Sequence, residues 1–195
     1  MKNLIFLFLM LVPGFCLSQM KTSTFSDWEI QQQKKAKPTI IHIYTDWCAV
    51  CKIESFQLNK DKELVKMMNE NFYFINFEAE KTKEKIIFQG KEFNYLPNGN
   101  SGIHELVLAL SKNKNQPVYP LWIILNENQE LVYYHEGQFK PEKMKKKLNE
   151  ILKTLILFLA DFADLAEIIL HQSTLPIGCK LHQNDCSMRD WFLFG

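Results

Sequence analysis

The sequence lacks a strong charge imbalance, and this excludes two classes of partner. Its 195 residues carry 23 basic and 22 acidic side chains, which gives a formal net charge of +1. The lysines are spread over many segments and do not form one basic patch. Proteins that bind nucleic acid or acidic substrates ordinarily concentrate positive charge. We therefore expect no nucleic-acid partner.

Cysteine is also scarce, with five residues in the chain. Disulfide-stabilised small proteins have a much higher density of cysteine, and here a composition of 47% hydrophobic residues allows a core to hold one domain together. Spacing separates one cysteine near the start from a close pair, Cys48 and Cys51, and a distant pair, Cys179 and Cys186. The close pair is therefore free for chemistry.

The apolar run at the start is too short to span a bilayer. Residues 4–12 are nine apolar residues, whereas a spanning helix needs about 20. A charged start with Lys2 precedes the run and a proline–glycine pair follows it, which is the pattern of a secretory signal peptide. Cys16 and Ser18 are small enough for the −3 and −1 positions of a cleavage site. The sequence thus predicts a signal peptide at residues 1–18 and an exported, periplasmic protein.

A lipoprotein is an alternative, in which Cys16 carries the lipid. Phe15 directly before it, and Pro13 before that, argue against this alternative. Export matters because an oxidising compartment drives a close cysteine pair to the disulfide unless another protein reduces it. A reductase there needs an electron donor.

The close cysteine pair lies between an expected strand and an expected helix. The β-branched, apolar run Thr39–Tyr44 predicts a buried strand, and residues 52–58 predict a helix. Cys48 would lie at the N-terminus of this helix, where unpaired N–H groups favour a thiolate. Cys51, one turn later, is within reach to close a disulfide. This pattern predicts thiol–disulfide exchange.

Hydrophobic periodicity and turn residues predict the remaining elements. The expected order is a helix from Ser26 with a capping box, strand Thr39–Tyr44, helix 52–58, helix 62–69 capped by Asp61, strand 72–77, helix 81–91, loop 94–102, helix 104–112, strands Leu121–Leu125 and 130–135, and helix 141–153. The strand–helix–strand unit predicts parallel pairing, and the last two strands predict an antiparallel hairpin.

This order resembles the thioredoxin-like superfamily over residues 37–153. The resemblance depends on Trp-Cys-x-x-Cys-Lys after the first central strand and a proline that opens the third strand. Exported thioredoxin-like proteins, and the C-terminal domain of the periplasmic electron-transfer thiol:disulfide interchange protein, are most similar. The resemblance implies an α/β thioredoxin fold with a central mixed sheet flanked by helices. It also implies a helical insertion before the cis-proline strand and an extra C-terminal helical tail.

The resemblance also implies roles for matching residues. Cys48 resembles the attacking cysteine, which forms a mixed disulfide with the substrate, and Cys51 resembles the resolving cysteine. Pro120 resembles the proline whose preceding peptide bond is cis. Tyr119 would present its backbone to an extended substrate, and Trp47 would shield the cysteine pair. The implied partners are protein or peptide disulfides and an electron-donating membrane or periplasmic thiol protein, with no cofactor.

Two positions depart from ordinary thioredoxins. His42 stands where they carry a buried aspartate that assists proton transfer from the resolving thiol. A neutral imidazole can also accept a proton near pH 7, although a buried histidine satisfied by the backbone is an equal alternative. The two residues between the cysteines are Ala49 and Val50, and these intervening residues tune the redox potential, so the potential of thioredoxin does not carry over.

Other functions are possible for the same sequence. The expected activity is reduction of disulfides, and the alternatives are a disulfide oxidase or isomerase at the same site and a redox-inert peptide-binding module. A structural zinc site needs four ligands. The other candidate ligands, Cys179, His182 and Cys186, lie at the far end of the chain, which argues against zinc.

Composition changes near residue 154, which predicts a thioredoxin-like domain at residues 19–153 and a separate segment at residues 154–195. Residues 155–170 are apolar, but three acidic residues interrupt them, and a spanning helix tolerates such charges poorly. We expect an amphipathic helix here, packed on the domain or on a partner. Cys179 and Cys186 could form a small disulfide loop. Alternatively, the whole tail is a gene-end artefact.

Overall fold

A computed structural model describes the chain from residue 19 to residue 173, with side chains described for residues 19–157. The predicted signal peptide, Cys16, Cys179, His182 and Cys186 lie outside this part. The chain divides into two compact units with their boundary between Ile151 and Leu152. No helix in the described part combines the length and the apolar character that crossing a membrane requires.

Five helices and eight strands make up the described part of the chain. In order they are α1 (Phe25–Lys34), β1 (Thr39–Tyr44), α2 (Ala49–Lys60), α3 (Lys62–Asn71), β2 (Tyr73–Glu78), β3 (Ile86–Phe88), β4 (Lys91–Phe93), β5 (Tyr95–Asn98), β6 (Ser101–His104), α4 (Glu105–Leu110), β7 (Leu121–Leu125), β8 (Leu131–Glu136) and α5 (Pro141–Ser173).

The central sheet has four strands in the order β2-β1-β7-β8. β1 pairs in parallel with β2 and antiparallel with β7, and β7 pairs antiparallel with β8. The parallel pair follows from the α2–α3 crossover, and the antiparallel pair from the short turn between β7 and β8. The predicted mixed sheet of the thioredoxin fold, flanked by helices, is therefore confirmed.

β1 is buried on both faces of this sheet. Ile41 and Ile43 belong to a core cluster that also contains α1 residues and the buried residues of the insertion. Ile40 and His42 alternate with them and point to the other face, where Glu54 of α2 approaches His42. The helix that carries the cysteines thus packs over the His42 face of the sheet.

The insertion between β2 and β7 differs from the sequence prediction. The predicted helix at residues 81–91 is wrong, because this segment forms β3 and the start of β4. Gln89 and Gly90 both have positive φ, at 50° and 74°, which suits the tight turn of a right-twisted hairpin. The predicted loop at residues 94–102 is a second hairpin of β5 and β6. Only α4 represents the expected helical part of the insertion.

The helix ends agree with the predictions at α3 and differ at α1. Asp61 caps α3 by accepting the Leu64 N–H at 3.1 Å. The cap of α1 is Thr24 and not Ser26, because the Thr24 hydroxyl accepts the Asp27 N–H at 3.1 Å and donates to the Asp27 carboxylate at 2.8 Å. α5 continues to Ser173, so the extra C-terminal helix is confirmed as far as this residue.

Candidate active site

The two cysteines of the close pair form a disulfide at the start of α2. Cys48 is the N-cap of this helix, and its sulfur accepts the Cys51 N–H at 3.1 Å. Both residues are buried, but Cys48 is 6% exposed and Cys51 only 1%. A partner therefore reaches Cys48 more easily than Cys51.

The turn before α2 brings Cys48 to the helix N-terminus. β1 ends at Tyr44, and the Cys48 N–H then bonds back to the Thr45 carbonyl at 3.1 Å. Because the first N–H groups of a helix have no intrahelical partner, they present positive partial charge to the Cys48 sulfur. This environment stabilises a thiolate at Cys48 when the disulfide is reduced.

The strand β7 brings the predicted proline to the same edge of the sheet. Leu121 pairs with Ile43 of β1, so Pro120 lies beside the end of β1, from which the cysteine turn begins. The Tyr119–Pro120 peptide bond is cis, as the resemblance implied. The Tyr119 ring contacts the Trp47 ring edge-on, at 6.1 Å between centroids.

Trp47 is held in place by the segment that follows β2. Its indole N–H donates to the Glu80 carboxylate at 2.9 Å, although the side chain is 67% exposed. The Glu78 carboxylate accepts the backbone N–H groups of Asp46 at 3.2 Å, Glu80 at 2.9 Å and Lys81. Sequence reasoning missed these contacts, because nothing in the sequence pairs this segment with the cysteine turn.

These carboxylates give the site a negative character. Burial raises the pKa of Tyr119, and the charges of Glu80 and Glu78 raise it further. Lys81 forms an ion pair with Asp46, which offsets part of this charge. The acidic groups oppose the stabilisation of a thiolate by the helix N-terminus.

His42 lies behind the turn, buried on β1. Its Nδ1 is 2.7 Å from the Asn76 Oδ1, and its ring stacks on Trp122 at 4.1 Å between centroids. Its Nε2 faces the Glu54 carboxylate at 3.5 Å. Within the described part of the chain, its polar partners are Asn76 and Glu54, and neither sulfur is one of them.

Glu54 is a buried acidic residue that sequence reasoning missed. Its carboxylate accepts the Trp122 indole N–H at 3.2 Å and the backbone N–H of Phe139. The available signal was spacing, because Glu54 follows Cys51 by three residues and so shares its face of α2.

An apolar stripe runs along the exposed side of α2. It consists of Val50, Ile53 and Phe56, which are 45%, 54% and 62% exposed. The three residues are three positions apart and therefore follow one another on successive turns. Because Val50 lies between the cysteines, the stripe begins at the disulfide.

The described residues offer no group of three or more His, Cys, Asp or Glu side chains that could hold a metal ion. The zinc candidates near the end of the chain fall outside this region. The other two histidines of the domain bond to backbone groups, His104 to the Glu84 carbonyl at 3.0 Å and His135 to the Gln138 carbonyl at 3.1 Å.

Comparisons with known proteins place the chain among similar folds. The family model described as a thioredoxin-like domain matches residues 25–152. No curated protein matches the chain.

Several solved structures resemble the chain in fold alone. DsbH oxidoreductase has a TM-score of 0.48 and 12% identity, over 73% of this chain and 92% of that chain. A thioredoxin from Thermus thermophilus has the same TM-score of 0.48 and 12% identity, over 69% and 88% of the two chains. The oxidised C-terminal domain of DsbD from Neisseria meningitidis has a TM-score of 0.41 and 14% identity, over 66% and 97%.

Proposed function

The chain belongs to the thioredoxin-like domain family, and from this membership we propose that it is an exported thiol–disulfide oxidoreductase that reduces disulfides in proteins or peptides. The observation that carries the proposal is the Cys48–Cys51 disulfide at the N-terminus of α2. The Tyr119–Pro120 segment beside it supports a site for an extended substrate. The signal-peptide pattern at residues 1–18 supports export to the periplasm.

The reaction exchanges one disulfide for another. In the reduced protein the Cys48 thiolate attacks a sulfur of the substrate disulfide, forms a mixed disulfide and releases the first substrate thiol. Cys51 then loses its proton and attacks the Cys48 sulfur. The Cys48–substrate bond breaks, the electron pair leaves on the second substrate sulfur, and the Cys48–Cys51 disulfide is formed. The substrate has gained two electrons, which an electron-donating thiol protein must return to the pair.

The proton of Cys51 needs an acceptor, and His42 supplies one. Cys51 is only 1% exposed, so bulk water does not reach its thiol freely. His42 lies buried behind the cysteine turn, and its Nε2 faces the Glu54 carboxylate at 3.5 Å. In this proposal His42 is the general base for the resolving step.

The acidic surroundings support the reducing direction. Strong oxidants of this chemistry owe their potential to a stabilised reduced form. Glu78 and Glu80, held next to the cysteine turn, disfavour a thiolate and therefore destabilise the reduced form. A pair with a less stable reduced form gives up its electrons more readily. A disulfide oxidase or isomerase is the second candidate, because the helix N-terminus favours the thiolate.

Equilibration of Cys48–Cys51 with a glutathione buffer tests the direction. We expect a potential near that of thioredoxin, about −270 mV, because the acidic groups favour the disulfide. Glu80→Gln keeps the oxygen that accepts the Trp47 N–H but removes the charge. It should raise the potential by about 30 mV, a tenfold change in the equilibrium constant. A wild-type value near about −120 mV would support the oxidase instead.

The control for this measurement is Glu29→Gln, which removes a carboxylate from the exposed side of α1. It changes the net charge by the same amount as Glu80→Gln. We expect it to leave the potential unchanged, because solvent and salt screen a distant surface charge.

The apolar stripe supports substrates with hydrophobic residues near the disulfide. A substrate chain joined to Cys48 in a mixed disulfide lies next to Val50, where the stripe begins. From Val50 the stripe extends about 9 Å along α2. The Lys60 ammonium lies 4.2 Å from the Phe56 ring centroid, at the far end of the stripe. Unfolded or partly folded proteins expose apolar segments near their disulfides, and these segments would pack on the stripe.

Substitution of the stripe should weaken binding and leave the chemistry intact. Ile53→Asp combined with Phe56→Asp should raise KM about tenfold for a peptide disulfide with apolar flanks, because about 1.4 kcal/mol of apolar burial is lost. Steady-state kinetics with and without apolar flanks measure this, and kcat should not change. Asn59→Asp is the matched control on the same helix. Equal KM values for both peptides in the wild type would contradict a role for the stripe.

A further inference from the structure

A carboxylate and an imidazole face each other in the interior of the domain. The His42 and Glu54 side chains are 2% and 0% exposed, with 3.5 Å between Nε2 and Oε2. Burial of a single unpaired charge is strongly unfavourable. A charge on either side chain is therefore less unfavourable when the other side chain lies beside it.

Hydrogen bonds fix the orientation of both groups. His42 Nδ1 lies 2.7 Å from the Asn76 Oδ1, so this nitrogen carries a proton and donates it to the amide oxygen. Nε2 has no hydrogen-bond partner among the described residues. Glu54 receives N–H groups from Trp122 and from the backbone of Phe139. A proton taken up by Nε2 would therefore be directed at a carboxylate that is already held in place.

The pair lies one helical turn from the resolving cysteine. Glu54 and Cys51 share a face of α2 because they are three residues apart, and both are buried. Among the described residues, the other titratable group whose ring contacts His42 is Tyr44 of its own strand, at 5.6 Å between ring centroids. The facing residues of β2 and β7 carry no charge: Phe74, Asn76 and Trp122.

We propose that Glu54 is a positioning residue that makes His42 an effective base for Cys51. This inference depends on the proposed function. When Cys51 attacks the mixed disulfide, its sulfur bonds to the Cys48 sulfur, the substrate sulfur leaves with the electron pair, and the thiol proton passes to the buried His42–Glu54 pair, where Nε2 faces the carboxylate. Glu54 accepts the hydrogen bond of the protonated Nε2 and so stabilises the imidazolium that results.

A parent protein with Cys16→Ser, Cys179→Ser and Cys186→Ser has Cys48 and Cys51 as its thiols. Mixing this protein, in its reduced form, with excess dithiobis(nitrobenzoate) separates the two steps. Attack by Cys48 on the reagent releases one coloured nitrothiobenzoate, and attack by Cys51 on the mixed disulfide releases a second. Stopped-flow absorbance over a range of pH gives a profile for each release. The pH dependence of the first release reports the ionisation of Cys48. The pH dependence of the second release reports the ionisation of Cys51 and of its base.

Glu54→Gln removes the charge and keeps the size of the side chain and one oxygen acceptor. We expect the second release to slow about tenfold at neutral pH and the first to be unchanged. The profile of the second release should move to higher pH, toward the ionisation of an ordinary cysteine with a pKa of about 8.5. Glu63→Gln, at an exposed position on α3, is the matched control and should alter neither release.

His42→Gln is the second variant, and it should slow the second release about 100-fold. The double variant should be no slower than His42→Gln, because Glu54 acts through His42. An unchanged second profile in Glu54→Gln would overturn the proposal. If that variant does not fold, an unchanged profile in His42→Gln overturns it instead. Failure of the parent protein, in which Cys48 and Cys51 are intact, to give the first release would overturn the proposed function.

Discussion

Cys48→Ser is expected to abolish disulfide exchange. A serine hydroxyl does not ionise near neutral pH, so the protein loses the nucleophile that attacks the substrate. Cys51 does not replace it, because Cys51 is 1% exposed and lies inside the first turn of α2. Turnover of a peptide disulfide with dithiothreitol as the electron source should fall to the uncatalysed rate.

Cys51→Ser is the matched variant, and it should have a different result. The attack by Cys48 remains, but the mixed disulfide has no internal thiol to resolve it. Non-reducing gels and mass spectrometry should therefore detect covalent adducts with substrate in Cys51→Ser and none in Cys48→Ser. A full rate in Cys48→Ser would exclude the assignment. A wild-type protein that binds peptide but never exchanges disulfides would support the redox-inert module.

Trp28→Ala is expected to have the largest effect on stability. Trp28 is 2% exposed, stacks on Phe88 with 5.5 Å between ring centroids, and contacts the Phe25 ring edge-on. Its indole N–H donates to the Thr39 hydroxyl at 2.8 Å, so it links α1 to the first residue of β1. Truncation of a buried tryptophan to alanine costs about 3–5 kcal/mol. Urea unfolding followed by circular dichroism measures this loss.

Two further substitutions separate packing from hydrogen bonding at this position. Trp28→Phe keeps an aromatic ring and loses the bond to Thr39, so we expect a smaller loss, with about 1 kcal/mol from the hydrogen bond. Ile30→Ala, at a position of the same helix that is 53% exposed, should change the free energy of unfolding by less than about 0.5 kcal/mol. Similar losses for Trp28→Ala and Ile30→Ala would contradict the described core.

Much of the fold could be predicted from the sequence because local patterns determine it. The run Thr39–Tyr44 is a strand with the predicted bounds, since β-branched residues buried on both faces favour no other element. The hairpin at residues 86–93 was missed because the charged residues of segment 81–91 suggested a helix. There the turn at Gln89 and Gly90 decides the structure, and a single short strand gives almost no periodic signal.

The candidate site was only partly predictable for a different reason. Cys48, Cys51 and Pro120 were identifiable by sequence because their order along the chain resembles that of a known family. The surroundings of His42 come from distant parts of the chain, since Trp122 lies 68 residues beyond Glu54. Only the folded sheet brings such residues together. The sequence therefore identified His42 as a candidate proton acceptor, but it could not identify Glu54 as the group that faces it.

The Glu78 carboxylate accepts the backbone N–H of Asp46 in the cysteine turn and those of Glu80 and Lys81 after β2. This arrangement bears on how the protein changes between its two redox states. Reduction breaks the covalent bond between the sulfurs and frees both side chains. The backbone at Asp46 remains attached to the end of β2, because none of these three hydrogen bonds involves a sulfur. Little conformational entropy is then gained on reduction or lost on oxidation. Each catalytic cycle can start from the same arrangement of the backbone.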